Sequence, residues 1–109
     1  MGKEYSIVGV PWKQELDHLM QLRAFRKFDS EYNLYYFGES LSAKYDWPPV
    51  TAHIEHKESS LTLTVYEGNH SAWDEMKKFF QDLRNRYQTM SVLDPDTEED
   101  VSREFFGED

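Results

Sequence analysis

Apolar residues fall at two periods along this chain. Tyr5–Val10 is a short mixed run closed by Pro11, and it predicts a strand. From Lys13 to Leu22, Leu16, Leu19, Met20 and Leu22 recur near helical spacing and predict a helix. Arg23–Phe28 alternates loosely and reads as a second strand. Asp29 and Ser30 are suitable N-caps, because their side-chain oxygens accept orphan backbone N–H groups. They precede Glu31–Tyr45, where Leu34, Phe37, Leu41 and Tyr45 line one face of a predicted helix. Gly38 inside it costs about 1 kcal/mol relative to Ala, which a close approach of helix to sheet would explain. Trp47-Pro48-Pro49 ends that helix, since Pro48 drives its predecessor from the α region.

The next segments have period two. Val50, Ala52 and Ile54 alternate with Thr51, His53 and Glu55, and after the turn at residues 57–60, Leu61, Leu63 and Val65 alternate with Thr62, Thr64 and Tyr66. Such alternation predicts a hairpin with one buried face, closed by Gly68-Asn69. Ser71 and Asp74 then form a shortened capping box. Trp73, Met76, Phe80, Leu83, Tyr87 and Met90 follow at spacings of three and four, the core-facing stripe of a final helix.

Charge changes the picture only at one end. The 109 residues hold 21 Asp/Glu and 12 Lys/Arg, a formal charge of −9. Residues 94–109 carry −7 of it, which leaves −2 on residues 1–93. The expected organisation is therefore one α+β domain over 1–93 and an acidic, unstructured tail over 94–109. Phe105-Phe106 within that tail reads as a short docking motif. Phosphate binding needs clustered Lys/Arg, so nucleic acid is not an expected partner. No apolar run approaches the length of a membrane span, and none follows Met1 as a secretory signal would. The expectation is a soluble, cytoplasmic protein.

Candidate chemistry is sparse. The chain has no Cys, which excludes disulfides, thiolate metal sites and a cysteine nucleophile. Its histidines are His18, His53, His56 and His70. His53 and His56 stand three apart on a predicted strand, so they point to opposite faces and share no metal; neither metal nor cofactor is expected. No glycine-rich phosphate loop, nucleophile elbow or His-Glu-x-x-His motif occurs. Aromatics are abundant: seven Phe, seven Tyr and three Trp. One helical face suffices for the core, so Tyr35 and Tyr36 are expected at the surface as partner-binding residues.

The run Phe25-Arg-Lys-Phe28, the segment through Lys44-Tyr45-Asp46, Pro49, the hairpin, and Thr62–Glu67 before Ser71-Ala-Trp-Asp74 resembles pterin-4a-carbinolamine dehydratase over about residues 22–90. The resemblance implies a four-stranded antiparallel sheet with helices on one face and subunits that dimerise by joining sheets. The family opens with a helix, where Tyr5–Val10 reads as a strand. Its catalytic His-His-Pro motif corresponds here to Asp46-Trp47-Pro48-Pro49, and its later Thr-His to Val65-Tyr66; only its acid is matched, by Asp74. Trp47 and Pro48 cannot transfer a proton, and Tyr66 titrates near 10. Asp46, Trp47, Pro48, Tyr66 and Asp74 would thus form a degenerate pocket without a catalytic residue. A branch with such a pocket is the dehydratase-like Rubisco assembly factors of α-carboxysome-forming autotrophs. That resemblance implies a homodimeric chaperone binding the Rubisco large subunit. Two alternatives accompany it: a divergent pterin carbinolamine dehydratase using Asp74, His53 or His56, and an acidic inhibitor or decoy occupying a basic protein partner.

Overall fold

The computed structural model describes residues 3–38, 50–66 and 71–107. Six strands form one sheet: β1 (Lys3–Val8), β2 (Phe25–Asp29), β3 (Leu34–Gly38), β4 (Val50–His56), β5 (Ser60–Val65) and β6 (Ser91–Leu93). Three helices accompany them: α1 (Trp12–Met20), α2 (Ser71–Arg86) and α3 (Ser102–Phe106). The spatial order is β2-β3-β4-β5-β1-β6, and every neighbouring pair is antiparallel. The α+β class and the helical face agree with expectation; the sheet has six strands instead of four.

Register explains the two faces. Tyr5 stands opposite Leu63, Leu63 opposite Ile54 and Ile54 opposite Tyr35, while Ile7 stands between Leu61 and Val92. Side chains of directly opposed residues share a face, so these form one apolar surface. Leu16 and Leu19 of α1, Met76, Phe80 and Leu83 of α2, and Phe105 and Phe106 of α3 join it in a single core. Phe80 and Leu83, from the predicted stripe, are completely buried.

Two segments depart from the sequence reading. The predicted helix Glu31–Tyr45 is a strand over Leu34–Gly38, with Tyr35 opposite Ile54 and Phe37 opposite Ala52. Asp29 does cap, but it caps a turn: its Oδ1 accepts from the Glu31 and Tyr32 N–H groups, and Asn33 at φ 56° sends the chain back along β2. Leu41, Tyr45 and Trp47-Pro48-Pro49 lie outside the described residues. Gly38 closes β3 instead of a helix–sheet contact, its N–H donating to the Ala24 carbonyl.

The acidic tail is the second departure. Residues 94–107 are folded onto the body, so the core does not stop at residue 93. Asp94 Oδ1 accepts from the Asp96 and Thr97 N–H groups, and the Val101 N–H donates to the Val92 carbonyl. The Ser102 hydroxyl accepts from the Val92 N–H. The chain thereby covers part of the outer edge of β6, an edge that would otherwise present unpaired amides. Phe105 lies 4.9 Å from the Tyr5 ring and 5.8 Å from those of Trp73 and Phe80, in edge-to-face contacts. Two apolar anchors, Phe105 and Phe106, outweigh the mutual repulsion of acids that remain at the surface.

Gly9 makes the turn from β1 to α1 at φ +80°. A Cβ there would stand 2.0 Å from the Thr89 carbonyl oxygen, so the position accepts only glycine. Among the described residues, no helix is long and apolar enough to cross a membrane.

Candidate functional site

The sheet face opposite the helices carries the polar half of each strand. One row runs Lys27, Tyr36, His53, Thr64 and Glu4 across β2, β3, β4, β5 and β1. The next runs Leu34, Glu55, Thr62, Ser6 and Leu93. Strand alternation alone sends these residues outward once Tyr35, Phe37, Ile54, Leu61 and Leu63 point into the core. No described element lies over this face.

Its centre is an aromatic cluster. The Tyr66 hydroxyl lies 2.7 Å from His53 Nδ1, with the two ring centroids 5.2 Å apart. Tyr36 stands edge-on to the same imidazole at 6.1 Å. Burial lowers the pKa of His53, against the opposing pull of Glu4 and Glu55. Burial also raises the pKa of Tyr66, helped by Tyr36 and Glu4. The lowered pKa favours the neutral imidazole at pH 7, and Nδ1 shares a hydrogen bond with the Tyr66 hydroxyl. Tyr66 is 44% exposed although it makes this bond. Thr64, opposite His53, is buried beneath the cluster.

The residues singled out by sequence disperse. Tyr66 joins His53 on the open face, whereas Asp74 is exposed on α2, in the helical layer on the other side of the sheet. Asp46, Trp47 and Pro48 lie outside the described residues. His53 and His56 do point to opposite faces: His53 pairs with Thr64, and His56 pairs with core residue Leu61 at the far end of β4 from the start of α2. Neither histidine thus shares a cleft with Asp74. Of the two tyrosines expected at the surface, Tyr36 is half-buried on the open face, and Tyr35 is in the core. The Tyr35 phenol is pushed above its ordinary pKa by burial and by the charge of Asp17. Sequence reading missed the pairing of Tyr66 with His53. Both were visible as outward positions of the hairpin, separated by one diagonal step, and that offset was the available signal.

A second polar constellation holds the helices together. Glu15 of α1 is 2% exposed. Its carboxylate accepts from both Arg86 Nη atoms at 3.2 and 3.1 Å, from the Tyr87 hydroxyl at 3.1 Å and from His18 Nδ1 at 3.1 Å. Burial alone would raise its pKa, but these donors outweigh burial and hold it below the ordinary carboxylate range. Every lone-pair direction is used within a helix–helix seam, which is a structural role.

One depression of about 390 Å³ lies where the turn after β1 meets the β4–β5 hairpin, bordered by Val10, Pro11, Trp12, His56 and Glu58. Lys13 and Ser59 complete its lining, so it holds one imidazole, one carboxylate, one ammonium and one hydroxyl. No group of three or more His, Cys, Asp or Glu capable of holding a metal ion occurs among the described residues. No protein-family model, curated protein or solved structure matches this chain.

Proposed function

We propose that this chain is a non-catalytic binding protein that engages a protein partner through the open face of its sheet, centred on Tyr36, His53 and Tyr66. The observation supporting this reading is the half-exposed Tyr66–His53 pair on a sheet face that no described element covers. Tyr and His rings flanked by small hydroxyl residues supply area at low conformational cost, the composition of protein-contact surfaces. The His53–Asp74 arrangement of a divergent dehydratase is not favoured, because the two residues belong to opposite sides of the sheet.

The more specific expectation, a dimeric chaperone for the Rubisco large subunit, rests on the resemblance and its degenerate pocket at Asp46, Trp47, Pro48, Tyr66 and Asp74, within a layout that also includes a helix over residues 31–45. Of that helix, residues 34–38 form β3. The proposal therefore keeps the broader statement and makes Rubisco one arm of its test. A photo-cross-linking residue placed at Tyr66 should give discrete protein adducts in vivo, while the same residue at exposed Asp82 on α2 should give none. Adducts at Asp82 alone would overturn the proposed face. Co-expression with a form I Rubisco, scored for assembled enzyme, decides whether the large subunit is the partner; light scattering of the purified chain decides whether it is a dimer.

A further inference from the structure

Between the aromatic cluster and β1, the open face holds a strip of hydroxyl side chains, Ser6, Thr62 and Thr64, bordered by two acids. Glu55 stands beside Thr62 on β4, and Glu4 stands beside Thr64 on β1, so both carboxylates flank β5 from opposite sides. Both carboxylates pull the His53 pKa upward against burial, so their charge is felt at the cluster. Beyond Leu93, which pairs with Ser6, the chain enters the turn holding Asp94, Asp96, Glu98, Glu99 and Asp100 with no base among them. That acidic turn adjoins the Glu4 side of the face. Lys27 is the single cationic residue in the two rows, and it lies at their far edge on β2.

We infer that this strip receives the cationic side chains of a basic, extended segment of the partner protein, with an arginine guanidinium as the preferred anchor. The inference rests on the proposed binding face and deepens it. Three features select for guanidinium. Two carboxylates offer charge-assisted acceptors. Tyr66, exposed beside His53, offers a ring face on which a planar cation stacks. Ser6 and Thr62, half-buried between the acids, offer hydroxyl acceptors and no steric wall. An ammonium gains from the charge alone, whereas a guanidinium uses all three. The acidic turn beside Glu4 adds long-range attraction that speeds encounter without setting the anchor.

The test is a titration of the full chain with the peptide acetyl-(Arg)6-amide, followed by amide NMR shifts and calorimetry, with acetyl-(Lys)6-amide as the comparison. Shifts should centre on Ser6, His53, Thr62, Thr64 and Tyr66, and the arginine peptide should bind several-fold tighter than the lysine peptide. The isosteric double change Glu4→Gln with Glu55→Gln should weaken arginine binding by roughly tenfold or more. The change Asp96→Asn, Glu98→Gln and Glu99→Gln should weaken it less than that and leave the shift pattern in place. Absence of binding, equal affinity for both peptides, or shifts confined to residues 94–100 would overturn the inference. An adduct through Tyr66 that persists in the Glu4→Gln, Glu55→Gln protein would overturn the cationic anchor alone and leave the binding face standing; loss of all open-face adducts from the unaltered protein would remove both.

Discussion

Arg86 at the end of α2 meets Glu15 of α1 with two parallel N–H···O bonds at 3.2 and 3.1 Å, joining residues 71 positions apart. Arg86 is half exposed and Glu15 is buried, so the pair is asymmetric. Removing the arginine strands a buried carboxylate. Arg86→Ala should therefore cost about 1–3 kcal/mol, below the figure for a fully buried pair because solvent screens Arg86. Urea denaturation at pH 7 measures it, and a loss below a few tenths would show that Tyr87 and His18 satisfy Glu15 unaided.

The same carboxylate gives an acid limb. Its folded-state pKa lies below the ordinary value of 4.5, so the unfolded chain binds the proton more readily. The stability this contributes is complete above that value and is lost as pH falls through the lowered folded pKa. Arg86→Ala should shrink this limb, seen as a smaller loss of Tm between pH 5 and 3.

His53 gives a limb at higher pH. Burial holds its folded pKa below 6.5, so protonation favours the unfolded chain. Stability should fall as pH drops below 6.5 and level off once the folded state also protonates. Comparing Tm from pH 8 to 5 for the wild-type chain and His53→Asn checks this, with the variant expected to be flatter. A parallel decline in both would assign the effect elsewhere.

Gly9→Ala should be among the most destabilising small changes, by about 2 kcal/mol or more. The added Cβ meets a backbone carbonyl at 2.0 Å, and φ of +80° is strained for any L side chain. Gly107→Ala, also at positive φ but with nothing near, should cost less in the same denaturation experiment.

Phe105→Ala should cost about 3–4 kcal/mol, the loss expected for a large buried ring. If residues 94–107 were a solvated appendage, the change would be neutral by calorimetry.

Much of this fold was legible because a single period dominated locally. The hairpin of β4 and β5 and the stripe from Trp73 to Leu83 left no ambiguity, and their packing follows. Leu34-Tyr-Tyr-Phe37 was different: four consecutive large residues fit either period, and distant Leu41 and Tyr45 tipped the reading to a helix. Cross-strand partners Ala52 and Ile54 decide the matter, and partners are a tertiary property. In the tail, averaged charge concealed Phe105 and Phe106; composition sums over residues, while burial selects two of them. The open face was only partly legible for the same reason, since Tyr36 becomes an outward residue only once β3 is a strand.

Sheet order also governs the sequence in which the molecule can assemble. β2, β3, β4 and β5 are neighbours in chain order and can zip as each is made. β1, the earliest described strand, is seated between β5 and β6; it has no partner until β5 has been synthesised and keeps one edge open until β6 follows. Tyr5 and Ile7 therefore wait uncovered longest, and the α3 anchor that closes over Tyr5 is the last described element to arrive. A ribosome-arrested chain ending before Ser91 would thus carry β1 as a raw sheet edge, which makes that truncation the species most prone to self-association.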